Sequence, residues 1–242
     1  MTGQPAARSS VLLVDDHPIV RQGLTQLINA ESDLVVSGEA SSAREAMNLL
    51  VPPLPAVVIV DISLEDRNGV ELIKDIVARH PGLPCLALSM YDETMYAVRV
   101  LRAGGRGYVM KQEAPKKVVA AIRRVLQGHI YVSEDMATRL VDQFVLTSPG
   151  ATSPTSELSD RELEVLTLIG RGHGTRDIAE KLFLSVKTVE AHRERIKEKL
   201  KLKSGSELLR YAVQFTLDHQ IDADVENPKS EIRNPKQTSV SK

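Results

Sequence analysis

The chain contains 242 residues, of which 42 % are hydrophobic, so it is long enough for one large domain or two ordinary ones. No apolar run approaches about eighteen residues and the first ten residues contain no hydrophobic segment, which argues against a membrane span and a signal peptide. The formal net charge is −1 and Cys85 is the single cysteine, which excludes a strongly basic chain and an intrachain disulfide, and together these features favour the cytoplasm.

Five short apolar runs alternate with helical patterns in the first half of the chain. Each run is apolar throughout, as strands buried on both faces of a sheet are. Segments with apolar residues at helical spacing lie between them, for example Val70, Ile73 and Val77. This alternation predicts a doubly wound α/β domain with a five-stranded parallel sheet. The five runs are Val11–Val14, Leu34–Ser37, Val57–Val60, Pro84–Leu88 and Gly107–Met110.

Polar residues follow four of these predicted strands at the point where each strand ends. Asp15 and Asp16 follow the first run, Asp61 the third, Ser89 the fourth and Lys111 the fifth. The carboxyl ends of parallel strands border one ligand crevice, so these side chains are expected to converge. Three adjacent carboxylates repel one another, and Mg²⁺, which prefers oxygen ligands, removes that repulsion. A single Asp after a strand is often only a helix cap, but this ordered set is typical of a site.

The predicted site fits phosphoryl transfer to a carboxylate. Asp61 can act as a nucleophile that forms an acyl phosphate, while Mg²⁺ and Lys111 neutralise the phosphoryl oxygens. Ser89 can donate a hydrogen bond to the phosphorylated Asp61.

The second half of the chain has a different organisation. A helix is predicted over 133–146 and a linker over 147–155, and a compact all-helical pattern then runs from Leu158 to about Leu217. Ser159 and Glu162 form a predicted capping box at the first of these helices. Two helices joined by a short turn follow, and the second lies in a stretch, 185–203, with seven basic and three acidic residues. This pattern predicts a helix-turn-helix whose second helix enters the major groove of DNA.

Two sets of motifs identify a family resemblance. Residues 11–127 resemble a response-regulator receiver domain, through Val-Asp-Asp-His-Pro at 14–18, Val-Asp-Ile-Ser-Leu at 60–64 and Gly-Tyr-Val-Met-Lys at 107–111. Residues 157–214 resemble the LuxR-type output domain of the NarL/FixJ subfamily, through Leu-Ser-Asp-Arg-Glu-Leu-Glu-Val-Leu at 158–166 and Ser-Val-Lys-Thr-Val-Glu-Ala-His-Arg at 185–193. The resemblance implies a flavodoxin-like receiver followed by a small all-α domain.

The resemblance also implies a role for each polar residue of the receiver. Asp61 is expected to be the phosphoacceptor, assisted by Lys111 and Ser89, and Tyr108 is expected to switch conformation together with Ser89. The implied Mg²⁺ ligands are Asp15, Asp16, Asp61 and the backbone carbonyl of Ser63.

The same resemblance implies a set of DNA contacts in the output domain. Glu190, Ala191 and Glu194 occupy positions that face base edges, and the remaining positions face phosphate or the groove. The alternative for the two glutamates is pairing with lysines along their own helix. The expected DNA-binding residues are Arg176, Lys187, Thr188, Glu190, Ala191, Arg193, Glu194 and Arg195.

The predicted function is transcriptional control in a two-component system. A sensor histidine kinase is expected to phosphorylate Asp61, which releases a recognition helix that the receiver otherwise occludes near Lys187–Lys199 and promotes a homodimer on double-stranded DNA. The protein is not expected to be an enzyme with a separate substrate or to bind a membrane. Two alternatives stay open, a phosphoryl-transfer or hydrolytic enzyme and a phosphorylation-independent adaptor.

The expected division of the chain has five parts. They are a disordered N-terminus (1–9), a receiver (10–128), a linker with a helix (129–156), a helix-turn-helix domain (157–217) and a disordered tail (218–242).

Overall fold

The computed structural model describes residues 8–113, 115–146 and 154–224. Its first part, here called the sheet domain, contains a five-stranded sheet in which every neighbouring pair of strands is parallel. The strands are β1 (Ser9–Val14), β2 (Leu34–Ala40), β3 (Val57–Asp61), β4 (Cys85–Ser89) and β5 (Gly107–Met110).

The strand order is β2-β1-β3-β4-β5, so the direction of winding reverses between β1 and β3. Every residue of β3 and β4 is buried, because helices cover both faces of the sheet, and this explains why these strands are apolar runs. Val14 pairs with Val60, so the residues that follow β1 and β3 emerge side by side at the reversal point. The prediction of a doubly wound parallel sheet is confirmed.

Helices on the two faces of the sheet enclose two separate apolar clusters. The helices α1 and α5 cover one face, whereas α2, α3 and α4 cover the other. The helices of this domain are α1 (Pro18–Asn29), α2 (Ala43–Leu49), α3 (Gly69–Arg79), α4 (Glu93–Arg102) and α5 (Pro115–Leu126).

A second, all-helical part follows, here called the helical domain. The helix α6 (Glu134–Leu146) leads toward it, and residues 147–153 of the predicted linker lie outside the described residues. A short 3-10 turn over Pro154–Glu157 opens the domain. Its helices are α7 (Asp160–Gly170), α8 (Thr175–Lys181), α9 (Val186–Lys199) and α10 (Gly205–Asp224).

Local chemistry explains where these helices begin. The Ser159 side chain accepts from the backbone N–H of Glu162, and the Glu162 side chain accepts from the backbone N–H of Ser159, so the predicted capping box is present. Ser185 caps α9 by accepting from the backbone N–H of Thr188 at 3.0 Å. The turn between α8 and α9 contains Phe183 in the left-handed region, with φ 51°. The predicted helix-turn-helix is therefore formed by α8 and α9.

The ordered structure extends beyond the expected domain ends. β1 begins at Ser9, and Arg8 donates from Nε to the backbone oxygen of Leu34 at 2.6 Å, so the last two residues of the segment 1–9 are not disordered. The rest of that segment, 1–7, lies outside the described residues.

The last helix is also longer than expected. α10 continues to Asp224, whereas a polar disordered tail was expected from residue 218. Gln214 donates from Nε2 to Asp218 Oδ1 at 2.6 Å, and the His219 ring lies 4.2 Å from that of Phe215. Contacts between residues four apart stabilise a helix, so they support the polar last part of α10. Residues 225–242 of the expected tail are not described.

No helix in the described ranges has the length and apolar character needed to cross a bilayer.

Candidate functional site

Polar side chains at the carboxyl end of β3 and just after β1 and β5 meet at the reversal point of the sheet. Lys111 Nζ lies 2.7 Å from Asp61 Oδ2 and 2.7 Å from Asp15 Oδ2. Asp15, Asp16, His17 and Asp61 each place one ligand atom within 4.8 Å of the others. The side chains of Asp15, Asp61 and Lys111 are at most 8 % exposed, so the site lies at the base of the crevice.

Burial and charge act in opposite directions on this site. Burial raises the pKa of Asp61 and the nearby Asp15 carboxylate adds to the rise, while the Lys111 ammonium opposes it. Burial alone would lower the pKa of Lys111, but the two carboxylates together raise it. Lys111 is thus held as a cation that offsets the repulsion between two buried carboxylates.

The donor set fits a hard divalent cation. Mg²⁺ prefers carboxylate oxygens and keeps several waters, and the three aspartates place carboxylate oxygens within 4.8 Å of one another. The sequence analysis did not assign His17, whose Nδ1 lies 2.6 Å from Asp16 Oδ1. The His17 side chain is 63 % exposed, so it covers the acidic group from the solvent side.

The backbone after β3 is folded tightly around Asp61. Ser63 donates its backbone N–H to Asp61 Oδ1 at 3.2 Å, and Gly69 donates its own to the Ile62 carbonyl at 2.8 Å. A Cβ at position 69 would lie 2.0 Å from the Asp61 backbone oxygen, so only glycine allows α3 to start this close to the strand. Asn68 caps α3 by accepting from the backbone N–H of Val70 at 2.8 Å.

Ser89 and Tyr108 are both connected to Tyr91. Ser89 is fully buried, and its Oγ accepts from the backbone N–H of Tyr91 at 3.1 Å. Tyr108 is turned inward, 1 % exposed, and its hydroxyl donates to the backbone oxygen of Tyr91 at 2.8 Å. The sequence analysis missed Tyr91, because a tyrosine two residues after a strand carries no distinctive signal.

The helix α9 presents a charged outer surface. Val189 and Ile196 are buried against the other helices of the domain, whereas Lys187, Glu190 and Ala191 are exposed. The other expected DNA contacts are distributed as follows: Glu194, Arg195 and Arg176 are exposed, and Thr188 and Arg193 are half-buried.

The two glutamates of α9 differ in their surroundings. Glu194 Oε2 lies 2.8 Å from Lys197 Nζ, so the alternative of pairing along the helix holds for Glu194. Glu190 has no ion-pair partner among residues 8–113, 115–146 and 154–224. Glu190 therefore remains available to a base edge, and Glu194 is already engaged.

One expectation about the two domains is wrong for this structure. The sheet domain was expected to occlude α9 near Lys187–Lys199, but the outer residues of that helix are exposed. The sheet domain instead contacts α7, where Lys74 and Arg99 pair with Asp160. The charge complementarity between Asp160 and these two cations explains why α7, and not the basic α9, is the helix that docks.

Two known families match the chain, one in each of the two domains. The family described as the response regulator receiver domain matches residues 11–123. The family described as bacterial regulatory proteins of the luxR family matches residues 156–212.

Curated relatives match over most of their length. The oxygen regulatory protein NreC of Staphylococcus carnosus is 39 % identical over 212 residues, covering 86 % of this chain and 98 % of the relative. The protein of the same name from Staphylococcus aureus strain MRSA252 has the same identity and coverage.

Two solved structures match the chain, one over most of its length and one over little more than half. RcsB from Salmonella enterica serovar Typhimurium, bound to promoter rprA in the presence of phosphomimetic BeF3−, is 29 % identical with a TM-score of 0.56, covering 85 % of this chain and 98 % of that one. A LuxR-family response regulator from Aurantimonas is 32 % identical with a TM-score of 0.54, covering 57 % and 99 %.

Proposed function

We propose that this chain, which belongs to the response-regulator family that joins a receiver domain to a luxR-type DNA-binding domain, is controlled by a phosphoryl group carried on Asp61. Membership makes it a DNA-binding transcriptional regulator of a two-component system. The sheet domain is the receiver and the helical domain binds DNA. The observation that carries the proposal is the Lys111 ammonium placed 2.7 Å from both Asp61 and Asp15 at the ends of three strands.

The proposed chemistry is transfer from a phosphohistidine of a sensor kinase. An oxygen of Asp61 attacks phosphorus, the new P–O bond forms as the P–N bond breaks, and the leaving imidazole takes a proton. The Lys111 ammonium contacts the free Asp61 carboxylate before the transfer. During the transfer it contacts the phosphoryl oxygens and neutralises their charge. Asp15 and Asp16, with Asp61 and the Ser63 carbonyl, are the proposed ligands of Mg²⁺, which when bound supplies further charge neutralisation at those oxygens.

The proposed switch uses the residues around Tyr91. A phosphoryl group on Asp61 offers acceptor oxygens to the Ser89 hydroxyl, which at present accepts from the backbone N–H of Tyr91. Engaging Ser89 would release that contact and change the packing around the inward Tyr108, whose hydroxyl bonds the backbone oxygen of the same Tyr91. The switch roles of Ser89 and Tyr108 are proposed from these two contacts.

The proposed DNA contacts divide by chemistry. Lys187, Arg193, Arg195 and Arg176 supply positive charge for phosphates, and Thr188 lies at the start of α9, where its hydroxyl is 2.7 Å from Ser185 Oγ. Three further residues are proposed to contact base edges. Glu190 and Ala191 are exposed, and Glu194 becomes available when it leaves Lys197.

A homodimer on paired half-sites is proposed from α10. Leu209, Val213 and Leu217 are 47 %, 37 % and 47 % exposed and follow one another at intervals of four, so they form an apolar stripe along the helix. A second copy of the same stripe, related by twofold symmetry, is the proposed occupant, because one apolar stripe complements another.

The proposed divisions of the chain are 10–128 for the receiver, 129–156 for the linker and 157–217 for the DNA-binding core. The receiver turns over no separate substrate, so the protein acts as a regulator and not as an enzyme. Its site of action is the cytoplasm, where bacterial DNA lies.

The test is to incubate the full chain with Mg²⁺ and phosphoramidate and to measure intact mass and DNA affinity. We expect the mass of one phosphoryl group on the wild type and none on Asp61→Ala, and tighter DNA binding only where that mass appears. Asp142→Ala, which removes an exposed carboxylate of α6, should behave as the wild type. An unmodified wild type would favour the adaptor alternative, and hydrolysis of a separate phosphomonoester at many turnovers would favour the enzyme.

A further inference from the structure

A cavity of about 550 Å³ lies between the two domains. Helices α3 and α4 of the sheet domain and helices α7 and α10 of the helical domain contribute to its walls, together with α6 and the 3-10 turn. Pockets of this size are typical of sites for small organic ligands. Among the described residues, none of those proposed for phosphorylation or for DNA binding lines it, so the cavity is a separate feature of the molecule.

Several apolar side chains form part of the cavity wall. Met95 of α4, Met136 of α6 and Leu163 of α7 line it, and each is at most 8 % exposed. The Phe215 ring of α10 also lines the cavity, with the His219 ring beside it at a centroid distance of 4.2 Å. Methionine is flexible and polarisable, so two methionines let the wall adapt to apolar groups of different shape. This part of the cavity suits an aliphatic or aromatic body.

Positive charge predominates among the charged groups of the cavity. Of the described residues that line it, four are lysine or arginine and one, Asp160, is a carboxylate. The Asp160 carboxylate is already paired, because its two oxygens lie 2.9 Å from Arg99 Nη1 and 3.0 Å from Lys74 Nζ. Arg102 and Arg139 therefore add positive charge beyond what that carboxylate neutralises.

Arg102 is the cation best placed to contact a ligand. It lies in the last turn of α4, it is exposed, and it forms no ion pair within the described part of the chain. Arg99, by contrast, is fixed, since it also donates to the backbone oxygens of Leu158 at 2.8 Å and Thr155 at 2.6 Å. A guanidinium binds an anionic group through parallel hydrogen bonds, which are stronger because the acceptor is charged.

We propose that this cavity is a binding site for a small amphipathic organic anion, a molecule with one carboxylate, sulfonate or phosphate group on an apolar body. Arg102 binds the anionic group, and Met95, Met136 and Phe215 contact the apolar body. An inorganic anion lacks the body that these side chains would contact, and an uncharged hydrocarbon leaves Arg102 without a partner. The site does not involve Asp61, so its failure would leave the proposed phosphorylation untouched.

The experiment uses two fluorescent probes that share one apolar body. The dye 8-anilinonaphthalene-1-sulfonate carries a sulfonate, whereas N-phenyl-1-naphthylamine is the same molecule without it. Each probe is titrated into the full chain, and its dissociation constant is taken from the rise in fluorescence. We expect one sulfonate probe to bind per chain. Arg102→Met should weaken its binding by about tenfold, as the loss of one charge-assisted contact does, and should leave the uncharged probe unaffected.

The matched control is Arg124→Met. Arg124 is likewise an exposed arginine in the last turn of a helix, α5, but it does not line the cavity. This variant should bind both probes as the wild type does. Equal weakening in the two arginine variants, or weakening of both probes by Arg102→Met, would contradict the proposal, and so would a wild type that does not bind the sulfonate.

A second pair of variants tests the location of the site. Val98→Trp enlarges a half-buried residue of α4 that lines the cavity, so it should fill the space and abolish the binding of both probes. Thr94→Trp, at another half-buried lining residue of α4, gives the same test where Val98→Trp does not fold, as judged by circular dichroism. Undiminished binding to a folded variant would mean that the probes bind elsewhere, for example on the apolar stripe of α10, and would overturn the proposal.

Discussion

At the scale of single residues, the site depends on one buried cation between carboxylates. Lys111 contacts Asp15 and Asp61, and each of the three side chains is almost entirely removed from water. A buried charge that loses its partner is far more costly than a buried charge that keeps it. The stability of the metal-free protein and the chemistry of its site are therefore linked through one side chain.

The first prediction follows from that link. Lys111→Met should lower the free energy of unfolding by about 3–5 kcal/mol in the absence of Mg²⁺, because it leaves two buried carboxylates facing each other. Mg²⁺ should restore a larger part of the stability of this variant than it adds to the wild type. The measurement is urea unfolding with and without Mg²⁺. Lys117→Met, which removes an exposed lysine paired with Glu113, should change stability by about 0.5 kcal/mol or less.

The second prediction concerns the close approach at Gly69. A methyl group there would meet the Asp61 backbone oxygen at 2.0 Å, so Gly69→Ala must displace either α3 or the phosphoacceptor. We expect a loss of about 3 kcal/mol, at the upper end of the range for overpacking, and strongly reduced phosphorylation. Gly23→Ala is the matched control, since nothing lies within 4 Å of the added atom and α1 should gain about 0.5–1 kcal/mol. Normal phosphorylation of Gly69→Ala would contradict the geometry.

Sequence reasoning located the residues of the site but not all of their partners. Asp15, Asp61 and Lys111 could be predicted to meet because each directly follows a strand, and the parallel topology brings strand ends together. Tyr91 and His17 carry no such signal, because their roles depend on how loops fold over the strand ends. Periodic sequence patterns predict the topology of the sheet, but they do not predict the conformation of its loops.

At the scale of elements, α9 combines a buried side with a charged outer side. Its apolar residues Val189 and Ile196 fix its orientation in the helical domain, and Lys187 then emerges in the first turn, next to the cap at Ser185. The N-terminal end of such a helix is where phosphate contacts are favoured, since the backbone N–H groups and the helix dipole point there.

The third prediction tests this placement. Lys187→Ala should weaken binding to every DNA sequence by a similar factor and reduce the magnitude of the salt slope of log affinity by about one, as the loss of one phosphate contact does. Affinity should be measured by fluorescence anisotropy across several salt concentrations. Lys116→Ala, an exposed lysine of α5, removes the same net charge and should leave the slope unchanged. A change of sequence preference in Lys187→Ala would instead indicate a base contact.

Element boundaries were predicted less well than element types. The strands and the helix-turn-helix follow from periodicity, but α10 runs past the expected end because Gln214–Asp218 and Phe215–His219 contacts support a polar helix. Pairs at that spacing add only a few tenths of a kcal/mol each, too little to be distinguished by composition alone.

At the scale of the whole molecule, the relation between the two domains could not be predicted from the sequence. Glu164 lies in α7, is fully buried, and accepts from Asn68 Nδ2 of the sheet domain at 2.8 Å. The pattern of α7 indicates only its own core, and nothing in it identifies a partner 96 residues away in the chain. The expected occlusion placed α9 against the sheet domain, whereas the acidic start of α7 is what pairs with Lys74 and Arg99.

The docking contact also makes the molecule sensitive to pH. Burial raises the pKa of Glu164 to about 7, with Asp160 adding to the rise and Arg161 and Asn68 opposing it. Tyr91 and Tyr96 of the sheet domain face the same carboxylate and remain neutral in this range, because burial raises the pKa of both phenols. When the domains separate, water returns to Glu164 and its pKa falls toward the ordinary value of 4.5.

The fourth prediction follows from the sign of that difference. The docked state holds the proton more tightly, so docking is most favoured below about pH 4.5 and loses stability as pH rises to about 7, by on the order of 3 kcal/mol at most. The equilibrium constant for separation of the two domains, measured on the full chain by small-angle X-ray scattering and taken as a ratio to that of Glu164→Gln, should rise between about pH 5 and 7.5. The ratio cancels the pH dependence that the other titrating groups give to both proteins. Glu134→Gln, at an exposed position in α6, should give the wild-type profile, and a flat ratio would show that Glu164 does not titrate with docking.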